Sequence, residues 1–305
     1  MVKGHALLVG LKHVDKYSYG GWDGTSGCTG CELDIDNMNR ILNSEGYDTK
    51  ILKTSEATRN NILSCLYRSA DTLISGDIFV FYYSGHGGQQ PDIDGDELDG
   101  KDETLVVYDR EIIDDKINYA LTKFKAGVRI IMISDSCNSG TNYRGRVTIP
   151  KNKQTVLKPL SKNTETIKAQ LIHLSGCRDG FYSNGYDGGG AFTIALCKAW
   201  KNATFGGTIN TPFDGTMKDL HKKISELIES KQIPQYNEYG PVTDEFKSQK
   251  AFKINVTEPI EGYTELTVKE MKAEPAPIGK PKGSYKFIVK RGQDGLITEI
   301  EAVVK

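Results

Sequence analysis

Short apolar runs of strand length alternate along this chain with segments whose apolar residues recur at helical spacing, and this alternation constrains the fold more than any other feature. The runs are Ala6–Val9, Tyr47–Leu52, Ile78–Tyr83, Val128–Ile133, Gln170–Leu174 and Ala251–Val256, each bounded by turn residues. Between them, Ile35, Met38, Ile41 and Leu42 share a helix face, as do Ile62, Leu66, Ala70 and Leu73, with Thr58 placed to cap the latter. Ile117, Ala120, Leu121 and Phe124 form a third such face, Phe192 to Trp200 a fourth, and Leu220, Ile224, Leu227 and Ile228 a fifth. Runs that are apolar throughout suit strands buried on both sides. The pattern therefore predicts an α/β fold with a mostly parallel six-stranded sheet and helices on both faces.

Two stretches break the alternation. Residues 143–166 are rich in Lys, Arg, Asn and Thr, which predicts an exposed loop. From Thr257 the chain is punctuated by prolines, and then Tyr285–Lys290 and Leu296–Val304 flank a Gln293-Asp294-Gly295 turn, the pattern of a β-hairpin. The expected organisation is one main domain over 1–256 and a small β-rich extension over 257–305.

Composition narrows the class. The 39 basic and 40 acidic side chains leave a net charge of −1, which argues against a nucleic-acid surface built from bulk charge. Met1–His5 leads directly into Ala6–Val9, too short for a secretory leader, and no later run reaches the roughly 18 apolar residues of a membrane span. Six cysteines spread over 305 residues suit free thiols, so a cytoplasmic protein without a membrane partner is expected. Cys28 and Cys31 form a lone Cys-x-x-Cys with no second pair at zinc spacing.

In sheets of this kind ligands bind beyond the carboxyl ends of the strands. The run Ile78–Tyr83 is followed by Ser84-Gly-His-Gly-Gly88, and Val128–Ile133 by Ser134-Asp-Ser-Cys-Asn-Ser-Gly140. A histidine and a cysteine thus fall at strand tips, flanked by glycines that let a substrate backbone approach. A cysteine nucleophile needs thiolate character and a proton carrier for the leaving amine, roles that Cys137 and His86 can fill. The backbone N–H groups of Gly87 and Cys137 are the natural donors to a developing oxyanion.

These motifs resemble the metacaspases, including their bacterial relatives the orthocaspases, over about residues 5 to 255. Tyr83-Ser-Gly-His-Gly-Gly-Gln89, Asp94–Glu103, Ile112-Ile-Asp-Asp115, Asp135-Ser-Cys-Asn-Ser-Gly-Thr141 and Leu174-Ser-Gly-Cys-Arg-Asp179 carry the resemblance. The separation of 51 positions from His86 to Cys137 suits caspase-type enzymes. Asn138 stands where the family usually has histidine. The resemblance implies a caspase-like fold of the type I metacaspase kind, a His86/Cys137 dyad, and protein or peptide substrates. It also implies that Cys31, Asp34, Ser84 and Asp135 line the pocket for the residue before the cut, where carboxylates favour arginine or lysine.

The family's regulatory calcium site maps onto Asp102, Asp114 and Asp115, but its fourth position is Arg144, a cation that would repel calcium. No cofactor is expected to be required. A peptidase of basic specificity would find internal sites in the 143–166 loop, first among them Arg144, Arg146, Lys151 and Lys153. The rival reading is a caspase-fold scaffold or signalling module without significant peptidase activity, against which the intact His86 and Cys137 weigh.

Overall fold

The computed structural model describes residues 2–91, 101–137, 166–176, 185–186, 188–200, 213–228, 232–255, 285–291 and 297–304. Contacts divide the chain into two compact units, Met1–Tyr263 and Thr264–Lys305.

The first unit runs β1 (Gly4–Gly10), α1 (Cys31–Ser44), β2 (Asp48–Lys53), α2 (Arg59–Thr72), β3 (Ile78–Pro91), β4 (Lys101–Val106), β5 (Glu111–Ile113), α3 (Asp114–Thr122), β6 (Arg129–Cys137) and β7 (Gln170–Ser175). It continues through the short pair β8 (Gly185–Tyr186) and β9 (Gly189–Gly190), then α4 (Ala191–Ala199), α5 (Met217–Leu227), β10 (Gln235–Tyr239) and α6 (Asp244–Ser248). The main sheet has the order β10-β7-β6-β3-β1-β2. Its strands are parallel except β10, which is antiparallel to β7. Ile78–Tyr83 is buried throughout because helices cover both of its sides. Residues of α1, α4 and α5 form one core with Leu8, Val80, Tyr82 and Ile133, and residues of α2 and α3 form the other with Leu7, Phe81 and Met132. The expected cap of α2 is present, the Asn61 N–H donating to Thr58 Oγ1 at 3.3 Å.

The structure corrects the sixth strand. Ala251–Ile254 is a turn, with Phe252 at φ +58°, and it fills the core beside α4 and α5 instead of joining the sheet. The sixth position in the order belongs to β10. The second unit contains the expected hairpin, β11 (Tyr285–Arg291) and β12 (Ile297–Val304), paired antiparallel with Tyr285 opposite Val304.

The chain that follows α6 is tied to the amino-terminal ends of the strands by Arg129, which is 3% exposed. Its Nη2 donates to the carbonyls of Gly76 at 2.7 Å and Ile254 at 2.6 Å, and its Nη1 to the Gln249 side chain. Burial holds the guanidinium below its ordinary pKa, so these acceptors offset a real desolvation cost. Arg129→Met fills the space but strands those acceptors, at roughly 1–3 kcal/mol each. We expect a loss of about 2–4 kcal/mol, seen as a lower urea midpoint at unchanged slope.

Candidate active site

The sheet is staggered at its carboxyl edge, and the stagger makes the site. The pairing of β1 with β3 ends at Gly10 opposite Ser84, and that of β6 with β7 ends at Ser134 opposite Ser175. β3 and β6 continue alone, pairing Ser84 with Asp135, Gly85 with Ser136 and His86 with Cys137. Histidine and cysteine are therefore register partners on a two-stranded projection beyond the paired ends of β1 and β7. From Gly87 onward β3 changes partner and pairs antiparallel with β4, Gly87 lying opposite Leu105.

His86 is held from the far side by the segment that precedes α1. Its Nε2 lies 2.9 Å from the Gly24 carbonyl oxygen. A carbonyl can only accept, so Nε2 carries a proton, and in the neutral ring Nδ1 is left as the basic nitrogen. The Trp22 ring packs on the imidazole with centroids 5.0 Å apart, and Trp22 in turn meets Tyr19, whose hydroxyl donates to the Val107 carbonyl at 2.6 Å.

The four residues expected to line a pocket are brought together. Ser84 Oγ donates to Asp34 Oδ2 at 2.8 Å, and Cys31 lies beside Ser84. Asp34 does not cap its own helix; it also accepts the Gly190 N–H, at 3.1 and 3.0 Å to its two oxygens. Asp135 accepts from the backbone N–H of Thr193 at 3.0 Å and from its hydroxyl at 2.7 Å. Since that hydroxyl donates to the carboxylate, the Tyr82 hydroxyl 2.6 Å away must be the donor to Thr193. Both carboxylates are buried, Asp34 completely. Burial, with the charge of Asp135 second, pushes Asp34 up to about 8 against the opposing pull of Gly190 N–H and the Ser84 hydroxyl. Two acids confined in this way form a site that a cation would relieve.

Sequence reasoning missed Gly24, Trp22, Tyr82, Thr193 and the Gly189-Gly190 pair. A Cβ at Gly189 would collide with the Asp34 carboxylate and one at Gly190 with that of Asp135. The glycine run Gly188-Gly-Gly190 before a helical pattern was the available signal. The expected metal residues are not gathered. Asp102 is buried on β4 opposite Gln90, Asp114 and Asp115 open α3, and among the described residues no three of His, Cys, Asp and Glu come together to hold a metal ion. Arg144, Arg146, Lys151 and Lys153 lie outside the described residues.

The profile of the family described as "Caspase domain" matches residues 3–244. The chain belongs to the caspase-domain family. Metacaspase-1 of Emericella nidulans is 38% identical over 154 residues, and Metacaspase-1A of Aspergillus niger 34% identical over 154. Each alignment covers 46% of this chain and 36% of the relative, so the match spans about a third of the length of these curated relatives. Among solved structures, protein GSU0716 from Geobacter sulfurreducens is similar at a TM-score of 0.68 and 34% identity, over 82% of this chain and 98% of that one. Caspase-1 from Spodoptera frugiperda shares the fold at a TM-score of 0.52 and 14% identity, over 79% and 88% of the two chains. The caspase-domain unit and its metacaspase kinship thus agree with the staggered parallel sheet. Among the described residues no helix is long and apolar enough to cross a membrane.

Proposed function

We propose that the protein is a cysteine endopeptidase that cleaves after arginine or lysine, with Cys137 as nucleophile and His86 as acid and base. The observation that carries the reading is the buried pair Asp34 and Asp135 beside the His86–Cys137 register pair. Two residues along a strand advance about 7 Å. Ser84 and Asp135 therefore sit about 7 Å along their strands from His86 and Cys137, within reach of a long basic side chain whose backbone is held at the reacting pair.

The Cys137 thiolate adds to the scissile carbonyl, the backbone N–H groups of Gly87 and Cys137 donate to the oxyanion, and His86 delivers a proton to the leaving amine. Water, deprotonated by His86, then releases the acyl group. A panel of fluorogenic peptides differing only in the residue before the cut tests the reading on wild type and Cys137→Ala. Equal turnover of Asp-terminated and Arg-terminated peptides would refute the specificity.

Pairing with a substrate cation favours the ionised form of Asp34, whose proton is otherwise held up to about pH 8. Binding of an Arg-terminated peptide should therefore expel a proton, and affinity should rise with pH towards about 8 and level off above it. Calorimetry on Cys137→Ala in buffers of different ionisation enthalpy counts that proton. Close to one released at pH 7 is expected, and none would show that Asp34 does not meet the cation.

The same specificity makes the chain its own substrate at Arg144, Arg146, Lys151 or Lys153. Intact masses of wild type and Cys137→Ala purified in parallel should show fragments splitting within 143–166 in wild type alone. An uncut wild type that turns over peptides would show that self-processing is not part of the function.

A further inference from the structure

Cys28 and Cys31 stand outside the catalytic pair, yet each touches one half of the site. The Cys31 N–H donates to the Cys28 carbonyl at 3.1 Å, closing a turn over residues 28–31. A turn of this kind holds its end Cα atoms within about 7 Å, the span that a disulfide bridges. Both thiols are free, both are buried, and they lie close enough to govern each other's ionisation. Cys28 is also a neighbour of His86, and Cys31 of Ser84 in the carboxylate pocket.

We propose that Cys28 and Cys31 form a reversible thiol–disulfide site, in which a peroxide oxidises Cys28 and Cys31 resolves the product. The polarity follows from the contacts. Cys31 first and the neighbouring His86 second hold the Cys28 thiol below its ordinary range, while the nearness of Cys28 and burial push Cys31 up. Cys28 is the thiolate of the pair and Cys31 the thiol. The chain neighbours of Cys28, namely Ser26, Gly27 and Thr29, are exposed, and a Cβ at Gly27 would meet nothing within 4 Å, so a small oxidant can approach.

In the first step the Cys28 sulfur attacks the O–O bond of hydrogen peroxide. An S–O bond forms, the O–O bond breaks, and the departing hydroxide takes up a proton as water. In the second the Cys31 sulfur attacks the Cys28 sulfenic acid, forming the S–S bond and releasing a second water that carries the Cys31 proton. The thiolate–thiol pair loses two electrons, and one peroxide becomes two waters. The disulfide changes the sulfur beside His86 and the sulfur beside Ser84, so it acts on both halves of the site together. The thiol chemistry is independent of the peptidase reading; its effect on turnover rests on that reading.

The test uses the full chain as Cys137→Ala, which removes both the nucleophile and self-cleavage. After hydrogen peroxide, the non-reduced peptide spanning Cys28 and Cys31 should have lost two hydrogens in mass and resist alkylation, and dithiothreitol should restore both thiols. In Cys31→Ser/Cys137→Ala a dimedone probe should trap sulfenic acid on Cys28. If Cys28 and Cys31 of the folded Cys137→Ala protein stay fully alkylatable after peroxide, or pair with Cys65 or Cys197 instead, the proposal is overturned. Oxidation of this pair in a chain whose wild type cuts no peptide would count against the peptidase reading and not against the thiol site.

Discussion

Cys137→Ala is expected to lower kcat/KM on an Arg-terminated peptide by about 10⁴-fold or more, and His86→Ala by roughly 10²–10³-fold. The two losses should differ because a thiol retains some thiolate without its imidazole, whereas alanine offers no nucleophile. Neither change should unfold the protein. His86 is only half-buried and lies where β3 projects beyond β1, so its truncation opens no core cavity. The imidazole does pack on Trp22, and losing that contact should cost no more than about 1.5 kcal/mol. Far-UV circular dichroism and urea midpoints check the fold, and progress curves check the rate. Cleavage retained by purified Cys137→Ala would end the mechanism.

The second large effect should come from the pocket. Asp135→Asn is expected to reduce kcat/KM for Arg-terminated peptides by about 10²–10³-fold. Uncompensating one member of a buried charge pair costs about 3–5 kcal/mol, and each 1.4 kcal/mol is about tenfold. Asp34→Asn should act in the same direction. Thr193→Val keeps the shape but removes the hydroxyl that donates to Asp135 and accepts from Tyr82, so a smaller loss of about tenfold is expected. The ratio of Arg-terminated to neutral-terminated turnover separates a pocket effect from general damage, because only the former changes the ratio. Unchanged basic preference in both aspartate variants would put the pocket elsewhere.

The parallel strands and the helices on both faces were legible because burial on two sides leaves continuous apolar runs and helical spacing leaves a face. β10 was not, since Gln235-Tyr-Asn-Glu-Tyr239 is a short polar edge strand without a branched run. Ala251–Val256 has the composition of a strand, but Phe252 needs left-handed backbone and packs towards α4 and α5. Apolar content reports burial and leaves open how the burial is reached. In the candidate site, the register pair of His86 and Cys137 showed through its glycine-flanked motifs. The support of Asp135 by Thr193 spans 58 residues and that of His86 by Gly24 spans 62, contacts that exist only after the chain folds.

The group that fixes the proton on His86 Nε2 is main chain, and genetics cannot delete it. Any replacement at position 24 keeps the carbonyl oxygen while forcing a side chain into φ +69°, with its Cβ 3.3 Å from Val14. A scan of substitutions would therefore report Gly24 as a residue needed for folding and overlook its electrostatic role. Semisynthesis that turns the amide joining residues 24 and 25 into an ester would weaken that oxygen as an acceptor and keep every side chain, losing besides only the exposed Thr25 N–H bond to Asp23. For a ring oriented by backbone, the informative mutation is one of a single atom.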